Sequence, residues 1–224
     1  MKKLKISLIV NIIIFILTVI ATIMMFTGFK FMKGMEPVLE ATGFSLLKFF
    51  TVESNLFVGI ISLIFSIKEI KIIKGNEKEL STKMYLLKYM STSAVSLTFF
   101  IVFSYLGPIS KGGIISMLTN SNLFFHLIIP VLSIINFTIF EKTNKIKFKQ
   151  VIYGIIPTFL YGLYYCINVL THIENGKVSY VYDWYWFIQN GVWTAIIVIP
   201  VIFLISYLIS LCLWYFNKKG VENG

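Results

Sequence analysis

The stretch FFTVESNLFVGIISLIFSI, Phe49 to Ile67, decides how this chain is read. Its second half is apolar enough for hydrocarbon, yet Thr51, Glu53, Ser54 and Asn55 crowd four polar groups into five residues at its start. A spanning helix needs about 20 mostly apolar residues. Read as one, this segment (46–67) joins five other runs of that kind at 6–28, 85–106, 121–140, 150–171 and 188–216. The expected fold class is an all-α integral membrane protein, with residues 1–224 forming a single bundle of six transmembrane helices.

Composition points the same way. The 224 residues are 57% hydrophobic, include 21 Phe and have a mean hydropathy of +0.83. No water-soluble domain of this length has enough interior to hide that much apolar surface. The run from Ile6 to Phe26 is too long for the core of a cleaved signal, and Ala21-Thr22-Ile23 is a poor cleavage site, so it reads as an uncleaved first helix. The last segment is longer than a bilayer requires, and Pro200 is expected to bend it.

All 20 basic residues are lysine, and the net charge is +10. Without bidentate arginine forks, nucleic-acid binding is not expected. Lys2, Lys3, Lys5, Lys68, Lys71, Lys74, Lys78, Lys83, Lys88, Lys142, Lys145, Lys147, Lys149, Lys218 and Lys219 fall on one side of a six-helix serpentine. Only Lys30, Lys33, Lys48, Lys111 and Lys177 fall on the other. This asymmetry predicts that both termini face the cytoplasm, with YVYDWYWF, Tyr180 to Phe187, at the outer interface. The lysine-only usage with abundant Ile and Asn is expected of an AT-rich bacterial genome, hence a bacterial cell membrane.

In this topology Thr51 and His126 each lie roughly one to two turns below the outer surface. Thr51, Ser54, Asn55 and Ser62 form one stripe of the second helix, while Glu53 points elsewhere. Asn122, His126 and Ser133 form a matching stripe on the fourth, with Pro130 one turn below His126. Thr171, His172, Glu174, Tyr182, Asp183, Gln189 and Asn190 add polar groups at the same level, and the inner halves of the helices read as far less polar. The expected result is a polar pocket open to the outer leaflet. Each of these groups also has a structural reading: hydroxyls bond back to the preceding turn, Asn and His glue helices, and a Glu can sit among headgroups.

No nucleophile elbow, phosphate loop, H-E-x-x-H or cysteine cluster occurs. Cys166 and Cys212 lie in apolar runs and read as small hydrophobes. Neither a metal nor a cofactor is expected.

FTVESN on the second helix and NLFFHLIIP on the fourth resemble the bacterial six-span family sometimes called Pr-six-Pr, with its F-T-x-x-S-N and H-x-x-x-P segments. Val181 to Trp184 resembles that family's outer aromatic segment. The family is similar in turn to the eukaryotic androgen-induced and androgen-dependent membrane proteins, which hydrolyse fatty acid esters of hydroxy fatty acids with a membrane-embedded Thr and His. The resemblance maps that pair onto Thr51 and His126. Two departures are visible: the His-to-Pro spacing is one residue shorter than in the eukaryotic proteins, and the Ser-Asn after the Thr belongs to the bacterial pattern.

The expectation is therefore an intramembrane hydrolase or acyl-transfer enzyme acting on lipids or an amphiphilic ester. Thr51 is the nucleophile and His126 its base. Asn55, Ser54 or Asn122 would donate to the oxyanion, and Glu53, His172 or Asp183 would orient the imidazole or guide water. The competing reading is a small transporter or lipid-binding protein with a polar pocket; an intramembrane protease ranks last for want of its motifs.

Overall fold

The structure is a computed structural model and describes residues 1–32, 41–175, 177–187 and 192–222. Among the described residues six long helices follow one another: α1 Lys2–Thr27, α2 Phe50–Ile73, α3 Thr82–Ile109, α4 Ser121–Phe140, α5 Phe148–Thr171 and α6 Val192–Glu222. Five of them, α6 over Trp193–Lys219, are long and apolar enough to cross a membrane. This is the composition of a multi-pass membrane protein. At 24 residues α2 is about 36 Å long, but it is not among the five.

Local chemistry explains the irregularities. Gly28 ends α1 with a φ of 70°, its N–H returning to the carbonyls of Met24 and Met25. The Ser81 side chain caps α3 by accepting the Met84 N–H. Pro108 and Pro130 have no N–H to give the carbonyl four residues back. Around each the helix widens into a π turn, Val102–Leu106 in α3 and Phe124–Ile128 in α4. Ahead of Pro157, α5 begins as a 3-10 segment, Phe148–Ile155. Pro200 sits inside α6, which continues through it as helix.

The bundle buries polar and apolar groups together and is apolar without. Ser7, Asn11, Ile14, Thr18, Ala21 and Met25 line the buried face of α1, whereas Ile9, Ile16 and Ile23 are exposed. α3 is the central helix: it packs against α2, α4, α5 and α6, and every residue from Ser91 to Thr98 is buried. Two of its hydroxyls bond back along the helix, Ser91 to the Lys88 carbonyl and Ser96 to that of Thr92. In lipid, apolar burial gives helices no reason to associate, so close packing and polar contacts must do so. Gly59 lets α2 approach α1, for a Cβ there would lie 2.7 Å from Thr18 Cγ2. Gly154 does the same beside Ser210 and Ser93, where α5, α6 and α3 meet.

Several expectations need correction. α2 does not begin at residue 46: Gly43–Lys48 is a separate 3-10 turn, and Phe49 is extended. Tyr161 donates to the Lys48 carbonyl at 2.6 Å and Tyr185 accepts the Phe50 N–H at 3.0 Å, so side chains from elsewhere set the helix start. The chain is also not purely helical, since Ile173–Glu174 and Lys177–Val178 form a small antiparallel hairpin. Lys88 is no loop lysine; it is fully buried in α3. Gln189, Asn190 and Lys33 lie outside the described residues.

Candidate functional site

The first turns of α2 and the π turn of α4 are joined side by side. Asn55, fully buried, gives one amide proton to the Thr51 carbonyl at 2.7 Å and the other to the Phe125 carbonyl at 3.1 Å. That second bond clasps the Thr51 turn to the residue preceding His126. With both amide protons used, Asn55 is a clasp and has no proton left for an oxyanion; its Oδ1 is buried and unpartnered.

His126 is 2% exposed, and its Nδ1 lies 2.6 Å from the Met117 carbonyl. A carbonyl only accepts, so Nδ1 carries the hydrogen and Nε2 is left with its lone pair. No hydrogen bond links the ring to Thr51, Glu53, His172 or Asp183. The element that orients the imidazole is thus a backbone carbonyl just before the Asn120 turn, a partner that no side-chain motif announces.

The other expected residues have separate places. Ser54 contacts the Thr98 hydroxyl at 3.2 Å and the Thr51 carbonyl at 3.1 Å. Glu53 is exposed and faces the other way, into a pocket of ≈ 360 Å³ lined by Phe50, Ser54, Phe57, Met90, Pro157 and Tyr161 among others. Asn122 is fully buried one turn before His126. His172 stacks on Tyr182 at 3.6 Å, and its Nδ1 pairs with the Asn168 carbonyl at 2.7 Å. Asp183 is fully buried, accepting the Tyr165 hydroxyl and the Phe187 N–H. It pins the aromatic segment over the start of α2, where burial also pushes the Tyr185 phenol above its ordinary range. Asp183 and His172 therefore organise this end of the bundle and do not contact His126.

The opposite, lysine-rich end corrects the expectation of apolar inner halves. Lys88 Nζ donates to Asn11 Oδ1 at 2.5 Å and Ser62 Oγ at 2.8 Å, and stands 3.5 Å from Glu141 Oε1. Asn11 Nδ2 bonds both acids, Glu69 at 3.1 Å and Glu141 at 2.7 Å. Ser7 and Asn136 also donate to Glu141 Oε1, at 3.3 and 2.9 Å. Lys88, Glu69 and Glu141 are at most 4% exposed. A signal existed: Ser7, Asn11 and Thr18 repeat on α1 the i, i+4 and i+11 spacing of Thr51, Asn55 and Ser62 on α2, and Glu69 follows Ser62 by seven residues. Among the described residues no group of three or more His, Cys, Asp or Glu could hold a metal ion.

Compared with known proteins, the chain matches no family model, no curated protein and no solved structure.

Proposed function

We propose that the chain is a six-span protein of a bacterial cell membrane, both termini cytoplasmic, and that it hydrolyses or transfers the acyl group of an amphiphilic lipid ester. Support for the sixth crossing is the length of α2; support for the orientation is the lysine asymmetry. The likeness to the Pr-six-Pr and androgen-induced families belongs to the same proposal.

The observation that carries the enzymatic reading is the buried His126 ring, held at Nδ1 by the Met117 carbonyl, on a turn whose Phe125 carbonyl Asn55 clasps to the turn that bears Thr51. A rotation of Thr51 on substrate binding brings its hydroxyl to Nε2; such contacts are often long in ligand-free enzymes. Thr51 Oγ1 then attacks the ester carbonyl while Nε2 takes its proton, and Nε2 returns that proton to the departing alkoxide. Water, deprotonated by the same nitrogen, releases the acid from acyl-Thr51. The Ser54 hydroxyl gives its one proton to the Thr51 carbonyl, so Asn122 is the expected oxyanion donor that the proposal keeps.

The test is turnover of hydroxy-fatty-acid esters and ordinary lipid esters by purified protein in lipid nanodiscs. Thr51→Ala and His126→Ala should each abolish it, and turnover that survives both changes removes the dyad. A carrier or lipid-binding protein is the second reading, favoured by the aromatic-lined pocket beside Glu53. Uptake into sealed vesicles without hydrolysis would decide for it.

A further inference from the structure

We propose that Lys88, Glu69 and Glu141 form a proton-binding site at the lysine-rich end of the bundle, holding one proton on the two carboxylates. The inference is independent of the Thr51 and His126 reading, for it concerns the other end of the helices. It starts from a count of charge. One ammonium and two carboxylates are at most 4% exposed, and a buried net charge is far more costly than a neutral cluster. Asn11 Nδ2 bonds both carboxylates, so the two acids are close enough to discourage joint ionisation.

Among the described residues Lys88 is the one cation paired with Glu141 and the one acting on Glu69. α1 contributes Ser7 and Asn11, α2 contributes Ser62, α3 contributes Tyr85 beside Lys88, and α4 contributes Asn136. Lys145 lies over the Tyr85 ring and pairs with Glu79 at 2.8 Å. Two buried acceptors mark a seat for the proton. Glu141 Oε2 and Asn136 Oδ1 have no hydrogen-bond partner, while the other halves of the same two groups are bonded to each other at 2.9 Å. A proton on Oε2 donated to Oδ1 satisfies both atoms and completes a paired acid–amide contact. The site is also reachable by a proton from water. Glu69 is four residues from the end of α2, Lys88 six from the start of α3, and Glu141 directly follows α4, depths of roughly 10 Å or less.

The two carboxylates share the Asn11 amide and one ammonium, so the number of neutral carboxyls should follow the charge balance rather than either residue. Infrared difference spectroscopy of the full chain in nanodiscs at neutral pH reads the carboxylic C=O band. Wild type should show one such carboxyl from the cluster. Glu69→Gln and Glu141→Gln should each lose it, because the remaining carboxylate pairs with Lys88; Lys88→Met should double it. Asn136→Leu, which leaves every charge in place, should shift the band and not remove it, which keeps the test available where a charge variant does not fold. A band absent from wild type, or one unchanged in both glutamine variants, overturns the proposal. A lone loss in one glutamine variant overturns the shared site in favour of one independent acid.

Discussion

Replacing Gly59 tests whether α1 and α2 pack as closely as the structure has them. An added Cβ would stand 2.7 Å from Thr18 Cγ2, 2.8 Å from Thr18 Cβ and 2.8 Å from Thr18 Oγ1. Comfortable carbon contacts begin near 3.5 Å, so the helices must separate by about 0.7 Å or Thr18 must turn. Turning is resisted, because Thr18 Oγ1 is tied to the Ile14 carbonyl at 2.8 Å and Thr18 Cβ does not move with χ1. Overpacking of this kind costs about 1–3 kcal/mol, against which alanine returns up to about 1 kcal/mol of helix propensity. With the full propensity gain the net loss for Gly59→Ala is about 0–2 kcal/mol, and Gly59→Leu should lose more. Unfolding by SDS in mixed micelles, followed by circular dichroism, measures it. Thr18→Gly should rescue Gly59→Ala, with a coupling of about 1 kcal/mol or more in the double-mutant cycle. A Gly59→Leu protein as stable as wild type, with Thr18 intact, would refute the close crossing.

Three other outcomes follow from single contacts. Asn55→Leu removes the clasp between α2 and α4 and should cost about 1–2 kcal/mol in the same assay, with no change if the Phe125 carbonyl is satisfied otherwise. Tyr185→Phe leaves the Phe50 N–H without its acceptor; a loss of about 1 kcal/mol is expected, along with faster hydrogen exchange at that amide. Lys68 Nζ, 2.7 Å from Glu77, and Lys71 hold the Glu77 carboxyl below its ordinary 4.5. With the folded value lowered, its contribution is present above pH 4.5 and is lost as the pH falls through the folded value. Melting curves of wild type and Glu77→Gln should therefore converge in acid, and a gap that widens there would contradict the ion pair.

The sites differ in how far they could be read ahead of the fold. Thr51, Asn55 and His126 stood out because polar side chains in apolar runs are conspicuous and helical spacing gives their faces. Their roles were less legible. Asn55 reads as a donor from its type, yet two backbone carbonyls on different helices take both its protons. Asp183 reads as a partner for an imidazole, yet a tyrosine and a backbone amide hold it. Lys88 was misplaced because a lysine near a helix end looks the same whether it meets headgroups or turns inward to Glu141, 53 positions later in the chain.

Chain-local properties were enough for the helical, membrane-embedded class, the approximate runs and the polar stripes, since apolar length and a period of 3.6 are written along a single segment. Helix pairing was not, because it depends on which face meets which neighbour. Only the assembled bundle put the Met117 carbonyl against His126, the Tyr185 hydroxyl over the start of α2, and one ammonium between two carboxylates drawn from separate helices.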